Sequence, residues 1–222
     1  MIIYFFRNPD RLTDGQMEEL SAALPLQQQE ILSRMKNRRH RCEQIVAYVM
    51  LCHTMKTRLK RAFDADFHIM RFDDRLLSAR YVRRGAPLWR FGEHGKPYNV
   101  NCEEVFFNIS HCNEAVAVAI SGSEVGIDVE GRRRYSNNLL QRAFSDEEQS
   151  VILSSDDPQK EFACLWTRKE AWFKYTGTGI LMEHLKSTEA DARAAGCAIV
   201  TMPIASFDRS EATFWLSVAS RG

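Results

Sequence analysis

The chain has 222 residues, with 30 Lys+Arg against 29 Asp+Glu and a net charge of +1. Its hydrophobic share of 45% and charged share of 27% suit a globular protein with a sizeable core and exclude disordered, collagen-like and coiled-coil classes. A charge near zero gives no global field, which excludes a general polyanion binder.

The opening run Met1–Phe6 is too short for a signal h-region and lacks a basic flank. No apolar stretch approaches the roughly 20 residues of a spanning helix. The expected location is the cytoplasm. The six cysteines, at 42, 52, 102, 112, 164 and 197, form no Cys-x-x-Cys pair and no zinc spacing, so reduced packing residues are expected.

In chain order, Ile2–Phe6 reads as a strand, and Gln16–Leu24 and Gln27–Met35 as short helices parted by Pro25. Apolar residues at 45, 46, 49, 50, 55 and 59 predict a long helix over Arg41–Phe63. Phe67–Phe72 reads as a strand, followed by an Arg-, Gly- and Pro-rich loop holding Gly95-Lys96-Pro97. Val105–Ile109 and Ala115–Ile120 form a strand pair joined through a turn at Ser110–Glu114.

Ser121-Gly122-Ser123 is a flexible joint, after which the pattern begins again. Val125–Val129 is a strand. Asn137–Ala143 and Asp146–Leu153 are short helices, the second opened by a capping box of Ser145 and Glu148. Asp157 as N-cap and Pro158 in the first turn start a long helix that runs to about Tyr175 and stops at Gly177. Ala198–Met202 and Ala212–Ala219 are strands. Each half thus reads strand, two short helices, long helix, strands. The predicted division is 1–123 and 124–222.

The division also separates charge. Residues 1–123 carry 18 Lys+Arg against 14 Asp+Glu, and residues 124–222 carry 12 against 15. Arg34, Lys36, Arg38, Arg39 and Arg41 form one basic cluster; Lys56, Arg58, Lys60 and Arg61 form another.

Three stretches carry candidate chemistry. In Gly126-Ile127-Asp128-Val129-Glu130 the two acids share a strand face while Ile127 and Val129 take the core face. Such a pair calls for a proton or a hard cation such as Mg²⁺. For the tripeptide alone, an exposed strand end with solvated acids is the commoner reading. On the second long helix, Glu170 and Lys174 are four apart, among Phe162, Leu165, Trp166 and Phe173. They make either a surface ion pair or a partly desolvated acid–base pair. In Phe107-Asn108-Ile109-Ser110-His111 a strand ends in polar residues, without the Gly-x-Ser-x-Gly elbow of a nucleophile. Gly95-Lys96-Pro97 is not a Walker motif, since Pro follows the lysine.

In this order, over residues 95 to 179, these motifs resemble the 4′-phosphopantetheinyl transferases of the larger, surfactin-synthetase-activating type. The resemblance implies an α+β pseudo-dimer of two similar halves, each a small mainly antiparallel sheet on a long helix, with the site between them. It implies transfer of 4′-phosphopantetheine from coenzyme A to a serine of an apo acyl or peptidyl carrier protein, releasing adenosine 3′,5′-bisphosphate. On that basis Asp128, Glu130 and Glu170 hold Mg²⁺, Glu170 also acts as base, and Lys174 neutralises the leaving phosphate. Lys96, Ser110 and His111 contact coenzyme A. Arg38 and Arg41 are the expected partners of its 3′-phosphate, and Arg132–Arg134 with Phe144 the carrier dock. The expected protein is a monomer with no nucleic-acid or membrane partner. Cys112 departs from the family, which has a small hydroxyl residue there. The other readings are a Mg²⁺-dependent nucleotide phosphohydrolase and an RNA-binding module, the latter weakened by the acidic second half.

Overall fold

The computed structural model describes residues 1–58, 68–82, 89–92, 94–100, 104–112, 114–204 and 214–221. The predicted helix end at 59–63, with Lys60 and Arg61, and Cys102 lie outside the described residues, as do positions 67, 212 and 213. Contacts divide the chain into two units: Met1–Phe91 with Pro97–Gly122, and Gly92–Lys96 with Ser123–Gly222. The protein is mixed α and β throughout.

The first unit begins with β1 (Ile2–Arg7), α1 (Asp14–Ala23), α2 (Leu26–Arg34), α3 (Arg38–Arg58), β2 (His68–Arg71) and the short α4 (Ala79–Val82). It continues with β3 (Trp89–Phe91), β4 (Pro97–Asn99), β5 (Phe106–Cys112) and β6 (Ala115–Ser121). Its main sheet has the order β2-β1-β6-β5, with β1 and β2 parallel and the other pairs antiparallel. Thr13 and Gln16 form a capping box that starts α1.

Spacing along α3 suggested one apolar face. Instead, every residue from Ile45 to Cys52 is buried. The helix is covered on several sides, by β6, α1, α2, α4 and the 3-10 turn Pro9–Arg11. A helix enclosed in this way is apolar all round.

Two local expectations are corrected. The Arg-, Gly- and Pro-rich loop contains a hairpin: β3 pairs with β4, and Gly92 N–H donates to the Lys96 carbonyl at 2.8 Å. Strand β5 does not end at Ile109. It continues through Ser110, opposite Ala117, and His111, opposite Val116.

The second unit holds β7 (Val125–Glu130), α5 (Asn137–Ala143), α6 (Asp146–Ser154), α7 (Pro158–Thr176), α8 (Thr188–Ala194), β8 (Cys197–Ile204) and β9 (Phe214–Arg221). Its sheet has the antiparallel order β7-β9-β8. The caps are those predicted. Ser145 and Glu148 box the start of α6, Asp157 accepts from the Lys160 amide, and α7 ends on Gly177 at φ 71°.

Polar groups seat α7. Arg168 grips Glu189 with Nε and Nη2 and donates to Thr201 through Nη1. Thr201 and Thr167 both meet the buried Ser217 hydroxyl, at 2.8 and 2.7 Å. Lys169, 1% exposed, donates to both Glu148 oxygens and to the Leu185 carbonyl. This buried ammonium has its hydrogen bonds filled, as burial requires. Among the described residues, no helix is long and apolar enough to cross a membrane. Cys42, Cys52, Cys164 and Cys197 are free thiols.

Candidate active site

The site of the second unit is built where α7 crosses β7. Gly126 makes this crossing close. A Cβ there would overlap the Ala171 carbonyl oxygen and the Tyr175 amide nitrogen of α7. Strand alternation puts Asp128 and Glu130 on the same face as Gly126, so the acids face α7. Asp128 is 3% exposed, and the reading of a solvated strand end is wrong for it. Ile127 and Val129 are buried as well.

On α7, Trp166, Glu170 and Lys174 repeat every four residues and so share a helix face. Lys174 Nζ donates to Asp128 Oδ1 at 2.6 Å and stands 3.9 Å from Glu170 Oε2. Trp166 Nε1 donates to Glu170 Oε1 at 2.9 Å. Arg133 Nη1 donates to Glu130 Oε1 at 2.9 Å, and its guanidinium lies 5.1 Å from the centre of the Trp166 ring. Three acids, one lysine and one arginine are thereby linked through Trp166.

Electrostatics follow from this crowding. Burial, then the nearby Asp128, push the Glu130 carboxyl up to about 7, against the pull of Arg133. Burial and Asp128 also raise Glu170, while Lys174 and Trp166 hold it down. For Lys174 burial disfavours the charge, but Asp128 and Glu170 outweigh it and its pKa is raised. The site therefore combines a firmly charged ammonium with carboxylates of increased basicity, which suits proton acceptance beside a developing negative charge. Among the described residues, no three His, Cys, Asp or Glu side chains form a ready metal cage. Lys174 bridges Asp128 and Glu170, and Glu130 is engaged by Arg133.

Lys96 belongs to the same unit. Its ammonium donates to the Tyr175 carbonyl at 2.6 Å, pairs with Glu124 and lies over the Tyr175 ring. It thus holds the C-terminal end of α7, a placement favoured by the helix dipole.

The remaining predicted residues lie in the first unit. Ser110 is buried, whereas the His111 side chain is 33% exposed and meets Glu43 and Gln44 of α3. Arg38 is engaged by Asp14 and by the Leu12 carbonyl, and so ties the start of α3 to that of α1. Arg41 Nε is buried without a hydrogen-bond partner, an opening for an anionic ligand.

Back in the second unit, Arg132 pairs with Asp157, and Arg132, Arg134, Tyr135, Asp157, Pro158 and Gln159 line a pocket of about 440 Å³. Phe144 is no part of an exposed dock. It is fully buried, with its ring centre 5.0 Å from that of Phe162.

Sequence reasoning missed the close helix approach at Gly126, Arg133 as a partner of Glu130, and the buried Glu43. A glycine inside a strand signals close backbone approach, and an acid opening the run Glu43–Cys52 signals a buried partner.

Residues 124–218 match the family model of the 4′-phosphopantetheinyl transferase superfamily. The chain is similar to 4′-phosphopantetheinyl transferase Sfp of Bacillus subtilis (strain 168), with 37% identity over 90 residues, 40% of either chain. It is also similar to psf-1 of Bacillus pumilus, 36% identical over 89 residues (39% of this chain, 38% of the relative). To HetI of Nostoc sp. it is 36% identical over 107 residues, 45% of this chain and 41% of the relative. The matched stretch thus spans less than half the length of these curated relatives. The stretch that matches the superfamily model holds the whole acid–lysine constellation.

Proposed function

We propose that the protein transfers the 4′-phosphopantetheine group of coenzyme A to a serine of an apo acyl or peptidyl carrier protein. The observation that carries this reading is the Asp128–Lys174–Glu170 cluster, partly buried where α7 crosses β7 within the stretch that matches the superfamily. In the reaction the serine oxygen bonds to the β-phosphorus of coenzyme A. The bond from that phosphorus to the bridging oxygen breaks, and adenosine 3′,5′-bisphosphate leaves. Glu170 takes the serine proton, directly or through a water. Lys174, held by Asp128, neutralises the charge that builds on the leaving phosphate.

The donor set suits Mg²⁺. Asp128, Glu130 and Glu170 offer hard carboxylate oxygens, and Mg²⁺ needs only one or two carboxylates beside substrate phosphates and water. The upward shifts of Glu130 and Glu170, partly caused by Asp128, mark an excess of negative charge that a divalent ion would relieve. When bound, the ion supplies charge neutralisation on the pyrophosphate.

Coenzyme A contacts from Arg41, Ser110, His111 and Lys96 belong to the same reading, with Arg38 as an anchor for α3. So does carrier docking at Arg132 and Arg134, whose charge suits an acidic helix. A pseudo-dimeric plan is supported by the matching strand order of the two units. The reading places the protein in the cytoplasm as a monomer. No observation favours a phosphohydrolase. The test is incubation with coenzyme A, Mg²⁺ and a panel of apo carrier proteins, read by mass spectrometry. The expected result is a phosphopantetheine adduct on at least one carrier; none on any carrier would sink the proposal.

A further inference from the structure

The first unit holds a buried carboxylate whose partner is a histidine. Glu43, early in α3, is 2% exposed. Its Oε2 stands 3.0 Å from Nδ1 of His111 on β5. The next residue, Gln44, places its amide Nε2 3.3 Å from the other ring nitrogen. Two consecutive helix residues therefore hold one imidazole by both of its nitrogens.

Donor and acceptor chemistry assigns the roles. A carboxylate only accepts, so Nδ1 carries its proton toward Glu43. An amide nitrogen only donates, so Nε2 accepts from Gln44 and the ring is neutral in this arrangement. An anion arriving at Nε2 reverses that end: it displaces the amide and favours a protonated, charged ring. Burial raises the Glu43 carboxyl; His40 and Arg39 on α3 pull it down, and Asp10 in the preceding turn pushes it up. A buried carboxylate in this setting gains most when the facing imidazole is charged.

We propose that Glu43 is a positioning residue for His111: it orients the ring and stabilises its protonated form, so that Nε2–H is presented to a phosphate oxygen of coenzyme A in place of Gln44. The proposal rests on the reading of His111 as a coenzyme A contact. At one-third exposure the ring is reachable by a ligand while its Glu43 side stays covered.

The test uses the full chain with ¹⁵N-labelled histidine. In the ligand-free wild type, the neutral ring should be the Nδ1–H tautomer. In Glu43→Gln the His111 titration midpoint should fall by about one pH unit, a tenfold change in proton affinity. Calorimetry should then show coenzyme A binding accompanied by proton uptake in the wild type. Glu43→Gln should weaken that binding about tenfold, following the same loss, and raise KM for coenzyme A more than it lowers kcat. An unchanged His111 titration in the variant overturns the pair. A lowered titration with unchanged coenzyme A affinity overturns its delivery to the ligand. Failure of the wild type to bind coenzyme A brings down the functional reading and this proposal with it, whereas missing carrier transfer with intact binding touches only the functional reading. If Glu43→Gln does not fold, Gln44→Leu removes the group that the phosphate displaces. Its coenzyme A affinity should rise, and a fall overturns the proposal.

Discussion

The two units share a plan and spend it differently. Each has three antiparallel strands in matching order, β1-β6-β5 and β7-β9-β8, and one long helix, α3 or α7. At the second position of the first strand, one unit has Ile3, opposite Ala119; the other has Gly126, opposite Ala219. At the fourth position Phe5 faces Ala117 across the ladder, whereas Asp128 faces Ser217. Helix α3 packs mainly on β6, on the sheet face of Tyr4 and Val118 rather than that of Ile3, whereas α7 settles on β7, where Gly126 has no side chain to hold it off. The first unit thus fills its middle with Ile45, Val46, Val49 and Met50, each buried aliphatic side chain contributing about 1.5–3 kcal/mol. The second admits a lysine and three carboxylates to the equivalent region. One plan supports either a dry core or a charged site, and in the second unit Gly126 is what lets the helix lie on the strand.

The largest expected effect tests the charged site itself. Glu170→Gln should lower carrier modification by about 10²–10⁴, the usual worth of a general base, while the melting temperature is kept. Near-normal turnover would remove Glu170 from the chemistry. Next, Gly126→Ala should destabilise the second unit by about 3 kcal/mol, because the added methyl meets helix backbone and not a movable side chain. Urea unfolding followed by tryptophan fluorescence reads this. Ile3→Val, the comparable small change in the first unit, should cost only about 1 kcal/mol. Equal costs would refute the claim that Gly126 sets the helix position.

A pH titration sharpens the same contrast. Glu130 has its folded pKa raised from 4.5 to about 7. The folded state therefore binds more protons than the unfolded state between these values, and stability is lost as pH rises through them. In chelator-treated protein the second unit should unfold more readily at pH 7 than at pH 5. Added Mg²⁺ should flatten that slope, and a slope indifferent to Mg²⁺ would count against the proposed metal ligands. The smallest effect belongs to the rim. Reversing charge at Arg132 and Arg134 should raise KM for carrier several-fold and leave that for coenzyme A unchanged, since rim charges act chiefly on encounter. Parallel changes in both would defeat the docking assignment.

Much of the second unit was legible because its signals are local. The Ser145–Glu148 box, the Asp157 cap and the Gly177 stop each involve residues within a few positions of one another. The hairpin of β3 and β4 was not legible, since its three-residue strands carry no measurable periodicity. The apolar run ends at Ser110 and His111, and polarity alone predicts a turn there. Pairing with Ala117 and Val116 carries the strand past them. The sequence does not show that Asp128, Glu130, Glu170 and Lys174 come together, nor which groups they meet. Arg133 holds Glu130 and Lys96 holds the end of α7, contacts that no local sequence signal announces.

The sequence by itself determined the helix limits of the second unit, the shared strand face of Asp128 and Glu130, and the shared helix face of Glu170 and Lys174. These follow from repeat geometry and from hydrogen bonds satisfied nearby. Only the tertiary structure decided that Lys174 reaches Asp128, 46 positions away, and that Asp128 is buried under α7. The reason is physical: burial and charge pairing depend on how closely a helix can lie on a strand, and that distance is set by the absence of a side chain at Gly126.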